Sequence, residues 1–258
     1  MSSFERLLRN FQQSNQQEHL RFMHTVEDVR KIFSDLLSKN RNKDVKTLET
    51  IGLTFLADNP VIFGKISQEY VKAEIDWYES QSLNIHDIWE KEPPKCWKMN
   101  ASPEGIINSN YGKLIYSSEY HFQFDSCVKT LQNNPDSRRA CMIYTRPSIQ
   151  REYSENGKND FICTNAVSFH LKNRKLHSVV QMRSSDLVYG YKNDYPWHLH
   201  VLNKLSKTLS SDTKVGNIIF QIQNAHVYSK HWHLIQEYIE KKNNDNRNQW
   251  TKVRDLCS

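Results

Sequence analysis

The chain has 258 residues, with 25% charged and 11% aromatic residues and only 7 glycines and 7 prolines spread along it. That is enough for one large domain or two small ones, and it excludes collagen-like, low-complexity and linker-like chains. The net charge of +6 suits anionic ligands, but the basic residues are scattered (Arg138-Arg139, Lys172 to Lys175, Lys241-Lys242), so small phosphate-bearing molecules account for it as well as nucleic acid does. The first two dozen residues are polar and glutamine-rich, yet Phe4, Leu7, Leu8 and Phe11 recur at helical spacing and predict a short amphipathic helix. Thr25 with Asp28 has the form of a capping box opening a helix through Val29, Ile32, Phe33 and Leu36. A loop follows from Ser38 to Asp44, then a strand over Thr47 to Ala57 and a turn at Asp58-Asn59-Pro60. Ile66 to Leu83 places Tyr70, Ala73, Trp77 and Tyr78 on one helical face. Pro93 to Gly112 reads as irregular, and a second helix runs from Tyr120 to Leu131 before Asn133-Asn134-Pro135.

The second half is richer in strands. Arg139 to Tyr144, Phe161 to Leu171, Lys175 to Arg183 and Asn217 to Tyr228 are β-rich, with a turn at Asn156-Gly157. A helix from about Tyr195 to Leu209 interrupts them, and another follows from His231. Lys241 to Asn248 is charged and asparagine-rich and predicts a frayed tail. Separate helices beside neighbouring strands predict one α+β domain with a large sheet.

The five cysteines (Cys96, Cys127, Cys141, Cys163, Cys257) are odd in number and form no C-x-x-C, which points to a reducing compartment. With no apolar run of about 18 residues and no apolar leader, the expected location is cytoplasmic, the host cytoplasm if the chain is viral. Walker, G-x-G-x-x-G and H-E-x-x-H signatures are absent. The pairs His198/His200 and His231/His233 point their rings apart on helices, so they read as surface or half-buried histidines rather than a metal site. Taken singly, Cys163 reads as a buried core thiol, Glu74 as the edge of a helix face, and Arg138, Arg139 and Arg183 as surface ion-pairing residues.

Their order along the chain says more. Asp136-Ser137-Arg138-Arg139, Phe161-Ile162-Cys163-Thr164-Asn165, Met182-Arg183-Ser184-Ser185-Asp186, Gly190 to Asp194 and Ala225-His226-Val227-Tyr228-Ser229 follow one another. Upstream stand Ala73-Glu74-Ile75-Asp76-Trp77 and Asn110-Tyr111-Gly112. This set resembles the thymidylate synthase family over roughly Lys46 to His233. Thr164 replaces that family's histidine after the cysteine, Met182 its glutamine before the arginine, and Asp194 its base-reading asparagine. The chain ends in Asp255-Leu256-Cys257-Ser258, without an apolar C-terminal cap. With Asn134 to Arg139, Met142 to Ser148 and Lys192 to Tyr195, these departures resemble the phage deoxycytidylate hydroxymethylases within the family.

The resemblance implies a thymidylate synthase-like fold, a large mixed β-sheet with helices packed on it, in a sheet-to-sheet homodimer. It implies a helical extension over 1–40, a catalytic domain over 41–240 and a flexible tail over 241–258. The implied reaction moves a hydroxymethyl group from the co-substrate 5,10-methylenetetrahydrofolate to carbon 5 of dCMP, without a metal. Cys163 is the implied nucleophile, Glu74 the proton-handling and water-positioning acid, and Asp194 the base reader, with Asn193 the alternative. Arg183, Ser184, Asn165, His226 and Tyr228 would bind the nucleotide, with a phosphate contact from Lys43 or Arg41. Arg138 and Arg139 would complete the partner subunit's site. Asp186, Tyr111 and Trp97 would serve the folate side, Tyr111 also supporting the cysteine chemistry. The alternatives are CMP or dUMP as substrate, a true synthase, or a catalytically dead nucleotide- or RNA-binding paralogue. No direct nucleic-acid or membrane partner is expected for the main reading.

Overall fold

The computed structural model describes residues 23–40 and 44–256, with side chains to residue 245. The helix expected at Phe4 to Phe11, and Arg41, Lys43 and Cys257, lie outside these residues. Thr25 and Asp28 form the capping box: the Thr25 N–H donates to Asp28 Oδ2 at 3.0 Å and the Asp28 N–H to Thr25 Oγ1 at 3.3 Å. Helix α1 (Val26–Asn40) then buries Val26, Val29, Phe33 and Leu37, residues spaced three or four apart along one stripe. These four belong to the main core, so α1 packs into the domain that the sequence reading began at residue 41.

Six strands form one mixed sheet: β1 (His24–Thr25), β2 (Thr47–Leu56), β3 (Cys141–Ile143), β4 (Thr164–Lys172), β5 (Lys175–Asp186) and β6 (Lys214–Tyr228), in the order β1-β2-β6-β5-β4-β3. β5 and β6 run parallel, while β2 and β4 run antiparallel to them. The crossover between β5 and β6 is helix α7 (Gly190–Leu209), which buries Trp197, Val201, Leu202 and Leu205. Val180, Met182, Phe220 and Ile222 meet the core. The opposite sheet face leaves Ile51 86% exposed and Ile143 57% exposed, and a hydrogen bond joins Gln181 to Gln221 across it at 3.2 Å.

Helix α2 (Gln68–Ser80) starts at Ser67, whose hydroxyl accepts from the Tyr70 N–H, and stops at Gln81 in the left-handed region. The stretch read as irregular between Pro93 and Gly112 contains helix α3 (Lys95–Asn100) and the start of α4 (Tyr111–Tyr116). Gly112 lets α4 touch α2, because a Cβ there would stand 1.7 Å from the Tyr78 carbonyl oxygen. Helix α5 (Gln123–Asn133) ends before Pro135 as expected, and the short α6 (Ile149–Glu152) follows. Helix α8 (Trp232–Leu256) runs through the segment expected to be a flexible tail. Its Tyr238 hydroxyl donates to Glu27 of α1 at 2.7 Å, and Lys242 pairs with the same carboxylate. No helix among the described residues is long and apolar enough to cross a membrane.

Candidate active site

Topology gathers distant segments at one end of the sheet. The parallel strands β5 and β6 both finish there, with Arg183 to Asp186 and His226 to Tyr228, and the antiparallel β4 begins there, just after Cys163. Helix α2 and the first turns of α7 close over this end. The result is a cavity of about 500 Å³ whose lining includes Cys163, Glu74, Arg183, Asp186, Asn193 and Asp194.

Cys163 sits on a segment clamped by Arg183. The guanidinium donates to the carbonyls of Phe161 at 2.7 Å and Ile162 at 3.1 Å, lies over the Phe161 ring, and reaches the Cys163 Sγ at 3.5 Å. Burial pushes the Cys163 thiol up to about 11, Arg183 pulls it down, and Asp194 and Asp160 push it up further. In this single chain the thiol is therefore protonated at neutral pH. Thiolate formation needs loss of neighbouring negative charge or the arrival of another cation.

Glu74 is buried on the inner face of α2. The Tyr70 hydroxyl donates to its Oε1 at 2.6 Å, and the Trp97 indole N–H approaches the same oxygen at 3.2 Å and the Tyr70 hydroxyl oxygen at 2.8 Å. Burial raises Glu74 to about 7 against the pull of these two donors, which poises it between acid and base at neutral pH.

Asp194 lines the cavity from α7, and burial, with help from Glu74 and Asp186, raises it to about 8. The sequence reading began this helix near Tyr195, which left Asp194 open to a role as helix cap. The helix begins four residues before it, at Gly190, so Asp194 lies inside the helix and caps nothing. Asn193 lines the same cavity.

Ser184 Oγ lies 3.4 Å from His226 Nδ1, and Tyr228 packs edge-on to the His226 ring at 5.0 Å. Tyr111 is buried against Tyr78, their rings stacked at 5.3 Å, and its hydroxyl oxygen accepts from Thr164 Oγ1 at 3.1 Å. Asp186 Oδ1 accepts from the Val188 N–H at 2.9 Å.

Three expectations fall elsewhere. Asn165 does not join the cavity: it lines a shallow depression on the opposite sheet face, with Gln181 and Gln221. β4 pairs Thr164 with Met182 and Ala166 with Gln181, so Asn165 is the extra residue of a bulge and stands beside Gln181 on the outward face, past the sheet end where the cavity opens. Arg138 and Arg139 are exposed before β3 and do not line this chain's cavity. His198, read as a surface or half-buried residue, is fully buried among Tyr111, Tyr144 and Phe220, and burial pushes it down to about 3, so it is neutral. No cluster of three or more metal-ligating side chains occurs among the described residues.

The sequence reading missed Tyr70 and Asp160 as site residues. Asp160 is buried at the cavity wall, where it accepts from the backbone N–H groups of Asn108 at 2.5 Å and Ser109 at 2.8 Å and from the Ser109 hydroxyl at 2.7 Å. Its position three residues before Cys163 was a signal available in the sequence. Tyr70 had one too, since it stands four residues before Glu74 on the same helical face.

The chain matches the family model described as thymidylate synthase over residues 15–255. It is 44% identical over 224 residues to deoxycytidylate 5-hydroxymethyltransferase of Enterobacteria phage T4, covering 83% of this chain and 90% of that protein. The same figures hold for the protein of that name from Enterobacteria phage T2. Identity to a thymidylate synthase of Bacillus subtilis subsp. natto is 25% over 187 residues, 69% of this chain and 63% of that enzyme.

Proposed function

We propose that this chain, which belongs to the thymidylate synthase family, is a deoxycytidylate 5-hydroxymethyltransferase that converts dCMP to 5-hydroxymethyl-dCMP and releases tetrahydrofolate. The observation that carries this reading is the convergence of Cys163, Glu74 and Asp194 on one cavity, with a carboxylic acid at the position expected to read the base.

Members of this family use methylenetetrahydrofolate. The cavity suits it chemically: Trp97 and Tyr189 offer flat apolar walls, and Asp186 Oδ2 is an acceptor with no partner among the described residues, matched to the ring N–H groups of a pterin. Bound there, the folate supplies the one-carbon unit. The protein's own residues do the rest. The Cys163 thiolate adds to carbon 6 of the pyrimidine, which breaks the ring conjugation and makes carbon 5 nucleophilic. Asp194 faces the cytosine edge, where it supplies a proton to ring nitrogen 3 and then accepts from both N–H donors. Glu74 moves protons and holds the water that adds to the exocyclic methylene carbon. Arg183 and Ser184 hold the phosphate, and His226 and Tyr228 the sugar hydroxyl.

The exposed Ile51 and Ile143 on the uncovered sheet face support a sheet-to-sheet homodimer in which Arg138 and Arg139 enter the neighbouring site. The free thiols of Cys96, Cys127, Cys141 and Cys163 fit work in a reducing cytoplasm. Incubation with dCMP, CMP or dUMP and methylenetetrahydrofolate, followed by identification of both products, tests the reading. Hydroxymethyl-dCMP with tetrahydrofolate is the expected pair, and a methylated pyrimidine with dihydrofolate overturns it.

A further inference from the structure

Glu74 carries an asymmetry that its role as a proton-handling acid does not by itself require. Both protein donors, the Tyr70 hydroxyl at 2.6 Å and the Trp97 indole N–H at 3.2 Å, go to Oε1, and Oε2 has no partner among the described residues. The Tyr70 oxygen in turn accepts from Trp97 at 2.8 Å, so its proton points along the bond to Glu74. The Tyr70 ring is held edge-on by Trp89 at 5.4 Å, and Tyr70 and Glu74 are one helical turn apart on α2.

We propose that Tyr70 is a positioning residue for Glu74, fixing Oε1 so that Oε2 is presented to the cavity as the oxygen that holds the attacking water. The inference rests on the reading of Glu74 given above. In the step concerned, the water oxygen bonds to the exocyclic methylene carbon and its proton passes to Glu74. The displaced electron pair restores the carbon 5–carbon 6 double bond and expels the Cys163 thiolate. A carboxylate free to rotate would offer either oxygen and lose the water's aim.

The groups facing Glu74 are Tyr70 and Tyr78 on its own helix, Cys96 and Trp97 on α3 and Asp194 on α7, and no lysine or arginine among the described residues pairs with it. Tyr70 and Trp97 alone favour its ionised form by hydrogen bonding, and of the other groups facing it Asp194 is the one raised into the neutral range. This makes the sign of the test unambiguous. Removing the Tyr70 hydroxyl takes away a donor that favours the carboxylate, so Glu74 titrates at higher pH. A limb set by Asp194 moves the other way, because a less charged Glu74 repels it less.

The experiment measures kcat/KM for hydroxymethyl-dCMP formation against pH for the full-length wild type, Tyr70→Phe, Tyr70→Gln and Glu74→Gln. Tyr70→Phe keeps the ring packing. Its product formation falls about 10- to 100-fold, the size of one lost hydrogen bond to a charged group, and its acid limb moves up by about one pH unit. Tyr70→Gln restores a donor four residues before Glu74 and brings the limb back toward wild type. A Tyr70→Phe limb that stays in place or moves to lower pH overturns the inference, as does a Tyr70→Gln limb displaced as far as that of Tyr70→Phe. Glu74→Gln separates the two levels. If it keeps product formation, the reading of Glu74 itself falls; if it loses activity while the Tyr70→Phe limb stays put, only the role of Tyr70 falls.

Discussion

Replacing Asp194 with Asn tests base recognition with almost no change in shape. Asp194 lies inside α7 rather than at its cap, and it makes no hydrogen bond to another described protein group, so the substitution should leave folding intact. What changes is proton supply. Burial, Glu74 and Asp186 raise Asp194 to about 8, so the free site holds it as a neutral acid at pH 7. A neutral carboxyl donates to nitrogen 3 of cytosine and accepts from its exocyclic amine. As the Cys163 thiolate adds to the ring, nitrogen 3 takes the proton, so the adduct is neutral and the resulting carboxylate accepts charge-assisted hydrogen bonds from its two N–H donors. An Asn amide matches the ground state of cytosine or uracil but has no proton to give and no charge to offer the adduct. The loss is confined to charge-assisted hydrogen bonds in the transition state, about 1.5–3 kcal/mol each, so kcat on dCMP should fall about 10- to 100-fold with KM little changed. On dUMP nitrogen 3 carries its own proton and needs none from the protein, and the Asn amide N–H donates to the oxygen that becomes negative, so activity rises relative to dCMP. Together the dCMP to dUMP ratio of kcat/KM should fall by about two powers of ten. The assay is kcat/KM on both nucleotides for wild type, Asp194→Asn and Asn193→Asp, with circular dichroism melts to confirm folding. A ratio unchanged in a folded Asp194→Asn protein refutes the reasoning, and a ratio that responds to Asn193→Asp instead moves base reading to Asn193.

Cys163→Ala should abolish both product formation and tritium release from carbon 5 of labelled dCMP, because ring activation precedes every later step; wild-type release from the variant rules Cys163 out as nucleophile. Mixing inactive Cys163→Ala with inactive Arg139→Ala protein should restore activity in mixed dimers, one site of which carries neither lesion; no recovery after demonstrated subunit exchange counts against a shared site. Glu79 of α2 is held down at about 2 by His200, Lys204 and Tyr116, against the upward push of burial. Its folded value lies below its unfolded one, so the stabilisation is complete above about pH 4.5 and is lost as pH falls toward 2. With the carboxylate and its partners about one-third exposed, solvent screening reduces the contribution to about 1 kcal/mol. Urea unfolding of wild type and Glu79→Gln at pH 7 and pH 3 should show a stability gap that narrows at the lower pH, and an equal gap at both refutes the assignment.

The elements that the sequence revealed best are those whose signals are local. The Thr25–Asp28 box, the apolar stripe of α1 and the halt of α5 before Pro135 each depend on a few neighbouring residues, and each stands where those residues place it. The start of α7 was misread for an equally local reason. Gly190, Asn193 and Asp194 are turn-forming residues and Pro196 suits a first helical turn, so their propensities argue for a helix that begins near Tyr195. Tertiary packing overrides this preference: Tyr191 and Trp197 are fully buried on either side of the doubtful stretch, and the first buries its ring against Phe55 and Phe220. Pro196 is carried inside the helix at the loss of one backbone donor.

The site itself was legible through resemblance and not through local physics. Glu74, Cys163 and Asp194 come from a helix, a loop and a second helix, and no periodicity in the chain connects them. They meet because β5 and β6 are parallel with their ends aligned, β4 returns antiparallel to them, and the crossover helix between β5 and β6 must start at that same end. Asn165 shows where even a good motif match stops. Two residues after Cys163, it stands beside Gln181 in a depression on the face expected to meet a second subunit, not in the cavity at the end of the sheet. Thr164, just before the bulge, pairs with the buried Met182 and turns inward, where its hydroxyl donates to the Tyr111 hydroxyl oxygen at 3.1 Å. A ladder without the bulge would pair Asn165 with Gln181, leaving Ala166 no longer opposite that residue and reversing the faces of every later β4 residue relative to β5. Val167 and Phe169, both buried in the core, would then point outward. The bulge therefore lets one strand carry both the inward-facing Thr164 beside Cys163 and the apolar pair Val167 and Phe169, which stand one residue out of phase with it.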